Sequence, residues 1–91
     1  MNITSTGPTA AIPVLEGTHF LNIEGTFGNT SVTVEWSKLN EGLWTPLLRP
    51  DDTPIAATEG YNALVTISTG FIRFNATGGS GIDLEAIFDR S

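Results

Sequence analysis

The fold of this chain is decided by the stretch GTFGNTSVTVEWS, residues 25–37. Val32, Val34 and Trp36 alternate with polar residues, which is the period-2 pattern of a half-buried β-strand. Gly28 and Asn29 come just before this run, and both residue types tolerate the positive φ angles of tight turns. The stretch therefore predicts a turn followed by a strand over residues 31–37, with Trp36 in the core.

The same alternation recurs on both sides of this stretch. Residues 19–25 and 43–48 read as strands, and Pro46 marks the second of these as an edge or bulge. Residues 61–68 and 71–77 flank Thr69-Gly70, a pair that predicts a two-residue hairpin turn, and residues 82–88 form the last strand. Turn signals about every eight to twelve residues, without a helical period, predict an all-β fold: a β-sandwich or flattened barrel of about seven or eight short, mainly antiparallel strands.

The predicted hairpin also fixes a register. In that register Phe71 lies opposite Ile87, and Arg73 lies beside Glu85 in an exposed ion pair worth roughly 0–1 kcal/mol. The last strand either pairs with strand 71–77 through a five-residue loop or crosses to a second sheet. The sequence leaves both arrangements open.

Residues 1–17 differ from the rest of the chain. Their first seven residues are polar, and Pro8 and Pro13 interrupt any regular ladder. Three apolar side chains follow without a partner strand adjacent in sequence: Ile12, Val14 and Leu15. An extended arm that docks on a neighbouring subunit and an edge strand folded back on its own domain both explain this pattern. We predict an N-terminal arm over residues 1–17, followed by a β-sandwich domain over residues 18–91.

Composition excludes several classes of function. The 91 residues contain no Cys, so the chain forms neither a disulfide framework nor a thiolate metal site. A net charge of −6 argues against nucleic-acid binding, which needs a basic surface. No segment approaches the roughly 20 apolar residues of a membrane-spanning helix, and the N-terminus shows no secretory signal pattern.

Candidate catalytic groups are few. His19 is the only His and has neither a Cys nor a second His to complete a usual metal site. The Gly-rich run 78–81 lacks the Lys and the following helix of a phosphate-binding loop. Asp51, Asp52 and Glu59 do not have the spacing of a calcium loop. The sequence therefore predicts a protein that is not an enzyme and that uses no cofactor and no metal.

Large apolar side chains on faces that the register turns outward form a candidate subunit interface. Together with the apolar residues of the N-terminal segment, this set comprises Ile12, Val14, Leu15, Phe20, Leu64, Phe71 and Ile87. Coverage of this face by the N-terminal segment is the alternative explanation. Because small domains gain stability from burial between subunits, we predict a homo-oligomer.

A family resemblance adds to this interpretation. The pattern Gly-Thr-Phe-Gly-x-Thr-x-Val-Thr-Val-x-Trp-Ser over residues 25–37, then Trp44-Thr45 and the Gly-rich turn 78–81, resembles small virion proteins of tailed bacteriophages. The likeness covers residues 20–88 and consists of turn and core signals. It departs from the family at residues 39–42, where an Asp-Gly-Gly turn is usual.

This resemblance implies a function, a location and partners. It implies a structural virion protein, a decoration (cement) protein that is made in the host cytoplasm and stabilises the capsid from its outer surface. It also implies a homotrimer that binds the major capsid protein and neither nucleic acid nor a membrane. The alternative is a carbohydrate-binding or adhesin-like module of a phage tail fibre or neck, in which Trp36, Trp44 and Tyr61 stack on sugar rings if they are exposed.

Overall fold

The structure is a computed structural model that describes residues 1–40, 42–49 and 51–90. These residues form ten β-strands and no helix. The strands are β1 (Asn2–Ile3), β2 (Gly7–Pro8), β3 (Ile12–Val14), β4 (Gly17–Thr26), β5 (Ser31–Ser37), β6 (Thr45–Pro46), β7 (Ala56–Ala57), β8 (Tyr61–Ile67), β9 (Gly70–Thr77) and β10 (Asp83–Arg90).

The strands form two antiparallel sheets that pack against each other. Sheet A has the order β1-β10-β4-β8. In sheet B, β9 pairs with β5 on one side and with β2 and β3 on the other, and the far side of β5 pairs with β6 and β7. This architecture confirms the predicted all-β sandwich. The strands beyond the predicted seven or eight are pieces of two or three residues along the sheet edges.

Alternation along the long strands places the core between the sheets. Sheet A contributes residues such as Leu21 and Ile23, and sheet B contributes Val34 and Phe74, each at most 1% exposed. Their outward neighbours on the same strands are half-buried or exposed. The inner and outer faces therefore follow the period-2 pattern of the sequence.

The predicted hairpin at Thr69-Gly70 is wrong. β8 pairs with β4 in sheet A, whereas β9 pairs with β5 in sheet B, so this connection joins the two sheets. Two-residue hairpin turns need a positive φ at their first central residue, which is unfavourable for a β-branched residue. Neither Thr69 nor Gly70 has a φ in the left-handed region. The last strand likewise crosses sheets, because β10 pairs with β4 along its whole length.

Trp36 closes this end of the sandwich beside the connection between the sheets. Its indole Nε1 donates a hydrogen bond to the Ser68 carbonyl oxygen (3.0 Å), and the ring packs against the core while staying half-buried. A β-carbon at Gly70 would lie 2.8 Å from that Nε1 and 2.6 Å from the Ser37 carbonyl oxygen. Trp36, which was predicted in the core, therefore lies at the margin of the core. The ring leaves no room for a β-carbon at position 70, so this position requires glycine.

At the opposite end, the turn before β5 interlocks with the Gly-rich turn before β10. The Ser80 amide donates to the Gly28 carbonyl oxygen (3.1 Å), and the fully buried Thr30 hydroxyl donates to the Gly78 carbonyl oxygen (3.1 Å). A β-carbon at Gly79 would lie 2.1 Å from the Gly28 carbonyl oxygen. The two glycine turns therefore fit together only because they lack side chains.

The N-terminal segment is folded back onto its own domain. β1 pairs with β10 at an edge of sheet A, and β2 and β3 pair with β9 at an edge of sheet B. Ile3 and Val14 join the core at 3% and 9% exposure. The structure thus shows the edge-strand alternative, and an extended arm over residues 1–17 is not confirmed. Contact of this segment with a neighbouring subunit stays a prediction.

Candidate interaction surfaces

The outer face of sheet A carries three of the predicted interface residues. Phe20 lies directly opposite Leu64 in the pairing of β4 with β8, and Ile87 lies diagonally across from Phe20 on β10. These side chains are 41%, 67% and 37% exposed, respectively. Cross-strand neighbours on one face are close enough to act as one patch. We call Phe20, Leu64 and Ile87 the sheet A patch.

Uncharged polar side chains border this patch on β4 and β8. The hydroxyls of Thr18 and Thr66 are hydrogen-bonded across the two strands (3.1 Å), and the amide of Asn22 donates to the Asn62 side-chain oxygen. These groups border the patch without charge along β8, whereas carboxylates border it elsewhere. Asp89 on β10 lies directly opposite Phe20, and the Asn22 amide also donates to Glu24 Oε1 (3.3 Å). A partner that covers the patch therefore meets an apolar centre with an acidic border.

The other predicted interface residues lie elsewhere. Ile12 packs against the core and Val14 lies within it. Their apolar surface is therefore covered within the domain and contributes little to an interface. Phe71 lies on β9 opposite Ser37 and Pro13, on the outer side of sheet B, and Leu15 lines the same shallow pocket as Phe71. The predicted pairing of Phe71 with Ile87 is wrong, because β9 and β10 belong to different sheets.

The outer face of sheet B carries a compact charged and aromatic cluster. Arg73 Nε donates to Glu35 Oε1 (2.7 Å), and the Arg73 guanidinium lies 4.3 Å from the centre of the Trp44 ring. The predicted pair of Arg73 with Glu85 is wrong, since Glu85 in sheet A instead receives the N-terminal ammonium group of Met1 at 3.3 Å. Arg73 contacts Glu35 because these two residues lie directly opposite each other in the pairing of β5 with β9.

A cleft opens beside β8, where the short strands β6 and β7 leave the inner face of sheet A partly uncovered. Its volume is about 340 Å³, and its lining includes Leu47, Leu48, Arg49, Tyr61 and Val65. Arg49 Nη2 donates to the Ala56 carbonyl oxygen (3.3 Å), and its guanidinium lies 5.4 Å from the centre of the Tyr61 ring. Sequence reasoning missed this cleft, because strand alternation does not show where the opposite sheet ends.

The isolated titratable residues have local partners. His19 is buried and stacks on Phe88 with 5.0 Å between ring centres, and its Nδ1 lies 3.2 Å from the Gly17 carbonyl oxygen. Hydrogen bonds from the Thr53 hydroxyl (2.6 Å) and amide (3.1 Å) lower the pKa of Asp51 below its ordinary 3.8. Among the described residues, no three His, Cys, Asp or Glu side chains are grouped to hold a metal ion.

Comparisons of this chain with protein-family models, with curated proteins and with solved structures found no match. Within residues 1–40, 42–49 and 51–90, there is no helix with the length and apolar character needed to cross a membrane. The interaction surfaces therefore carry the functional argument.

Proposed function

We propose that this protein is a non-enzymatic structural component of a bacteriophage particle, a decoration (cement) protein that binds the capsid exterior and stabilises it. The observation that carries the proposal is the sheet A patch, an apolar surface on a small sandwich that is bordered by carboxylates on β10. The proposed partners are the major capsid protein and further copies of this chain. The resemblance implies three copies in the oligomer.

The physical argument rests on the alignment of the patch. Single exposed apolar side chains are common on protein surfaces, but neighbouring ones on one face mark interaction sites. Phe20 and Leu64 are direct cross-strand partners, so a flat partner surface can cover both at once. Their burial would contribute free energy in proportion to the apolar area removed from water, at about 25 cal/mol per Å². A rigid β-sheet face holds these groups in place before binding and limits the entropy lost on docking.

Binding to particles tests this proposal. We expect the protein to co-sediment with intact virions, in a copy number that is a fixed multiple of the capsid symmetry, and to protect stripped capsids against heat. Ile87→Asp should abolish co-sedimentation because it places a carboxylate in the sheet A patch. Leu43→Asp is the matched control, since Leu43 is 85% exposed in a loop outside the patch. Recovery of the wild-type protein only in particle-free fractions would contradict the proposal.

A carbohydrate-binding or adhesin-like module is the second candidate function. Trp44 supports it, because this half-buried ring lies beside Arg73 and the Arg73-bound Glu35, a combination of stacking and hydrogen-bonding groups that suits sugars. The Arg73 guanidinium already occupies one region of the ring, which ranks this candidate second. Quenching of tryptophan fluorescence by oligosaccharides in the wild type, lost in Trp44→Leu and kept in Phe20→Ser, would favour it.

A further inference from the structure

The far edge of β8 is free of pairing by the described residues. Within residues 1–40, 42–49 and 51–90, β8 ends sheet A and pairs with β4 alone. It spans seven residues, Tyr61–Ile67, so it is roughly 24 Å long at the usual rise of an antiparallel strand. Edge strands of this length expose unpaired main-chain N–H and C=O groups that readily pair with another strand.

The other sheet edges in the described part of the chain carry protection against such pairing. β1 and β7 have two residues each, and proline occurs in each of β2, β3 and β6. Short strands, prolines and charges are the usual devices that prevent edge-to-edge association. β8 has none of them, because it contains neither Pro nor a charged residue. β8 is therefore the edge strand that is open to pairing with a strand of another chain.

We propose that β8 is the contact between two copies of this chain, which pair antiparallel across a two-fold axis at Leu64, in place of the three-copy oligomer that the resemblance implies. In this register Leu64 faces Leu64 of the second copy, Asn62 faces Thr66, and Tyr61 faces Ile67. All seven residues then pair, and each outer-face residue meets an outer-face residue, as a two-fold axis perpendicular to the sheet requires. The two copies of sheet A join into one continuous sheet.

Side-chain chemistry favours a second copy as the occupant. On the outer face, Phe20 and Leu64 of one copy continue into Leu64 and Phe20 of the other, which makes one apolar row across four strands. The flanking rows contain Thr and Asn side chains, which pair by hydrogen bonds. Two chains of net charge −6 repel each other, so a contact between copies needs an edge without carboxylates, and β8 provides one.

The size of the contact predicts its strength. β8 is roughly 24 Å long and the smallest extent of the molecule is 23 Å, so joining two copies along this side buries at most roughly 1,100 Å² in total. This area is just above the about 1,000 Å² of a specific interface and in the range of weak, reversible complexes. The half-exposed Leu48 beside the cleft would also become covered. We therefore expect a dissociation constant in the micromolar range.

Sedimentation velocity from about 1 to 300 µM tests the association, since this range brackets a micromolar dissociation constant. The expected result is a reversible shift from the 9.7 kDa monomer to twice that mass. Leu64→Lys should raise the dissociation constant roughly tenfold or more, because it opposes two like charges across the axis. Leu43→Lys is the matched control, since Leu43 is 85% exposed in a loop outside β8 and outside the sheet A patch, and it should dimerise normally.

A cysteine scan tests the register. The chain contains no Cys, so any disulfide in a single-Cys variant must join two chains. A disulfide needs its two Cα atoms about 4.4–6.8 Å apart. In the proposed pair, Leu64→Cys is the single substitution that places the two Cys residues within this distance. Asn62→Cys alone would place them roughly 13 Å apart, but a mixture of Asn62→Cys with Thr66→Cys should cross-link.

Several results would overturn the pairing. They are a monomer at every concentration, a trimer, an association that Leu64→Lys and Leu43→Lys weaken equally, and equal cross-linking of Leu64→Cys and Ile87→Cys. Circular dichroism of each variant verifies the fold, and the exposure of Leu64 and Ile87 makes retention of the fold the expected result. The pairing does not rest on the proposed function: the capsid test scores co-sedimentation with particles, whereas these experiments use the free protein.

Discussion

Replacement of Gly79 by alanine tests the contact between the turn before β5 and the Gly-rich turn before β10. The Gly79 φ is +61°, and an added β-carbon would lie 2.1 Å from the Gly28 carbonyl oxygen and 2.7 Å from the Thr30 hydroxyl oxygen. The left-handed conformation costs an alanine roughly 1–2 kcal/mol. Displacement of a packed backbone adds about 1–3 kcal/mol. We therefore expect Gly79→Ala to lower the free energy of unfolding by roughly 2–5 kcal/mol.

Gly81→Ala separates the two contributions. The Gly81 φ is +69°, yet among the described residues other than Gly81 and its two chain neighbours no atom lies within 4 Å of the position that its β-carbon would occupy. This variant should therefore lose only the roughly 1–2 kcal/mol of the left-handed conformation. Urea unfolding followed by circular dichroism gives both values, and each kcal/mol corresponds to about 4–8 °C in Tm for a domain of this size. Equal destabilisation of the two variants would refute the interlocked geometry.

Three further predictions concern other parts of the fold. In thermal melts, Trp36→Ala should lower the free energy of unfolding by about 2–3 kcal/mol, which is less than for a fully buried Trp. Trp36→Phe should lower it by only about 1 kcal/mol, because this variant loses the hydrogen bond to Ser68 but keeps an aromatic ring. Glu35→Gln should cost at most about 1 kcal/mol in urea titrations because its ion pair is partly exposed. Thr53→Val should raise the pKa of Asp51 towards its ordinary 3.8 in an NMR titration, because it removes the hydroxyl donor. Since the folded-state pKa is lowered, that bond favours folding above pH 3.8, and its contribution disappears as the pH falls through the folded-state pKa.

The strands themselves could be predicted from the sequence. β5 has the predicted bounds 31–37, and the other long strands lie within about two residues of their predicted positions. Their inward residues, such as Leu21 and Val34, are buried as predicted. Strand pairing was less predictable, because side-chain alternation determines which face a residue occupies but not which strand lies beside it.

The candidate surfaces show the same division. Phe20, Leu64 and Ile87 are exposed as expected, and the structure brings them onto one face. Phe71 needed the tertiary structure for its placement, because the connection after β8 crosses between the sheets instead of turning back. The sequence does indicate the free edge of β8. Three of the short edge strands contain proline, whereas residues 61–67 contain neither proline nor a charged residue.

By itself, the sequence determined the all-β class, the inner and outer faces of the long strands and the turns at Gly28-Asn29 and at residues 78–81, because these depend on local backbone preferences and a two-residue period. Only the tertiary structure decided the strand order, the partner of Arg73 and the interlocking of the two glycine turns. Each of these depends on contacts between residues distant in sequence. Such contacts form where the two sheets bury their apolar faces together, and local patterns do not encode the choice of partner.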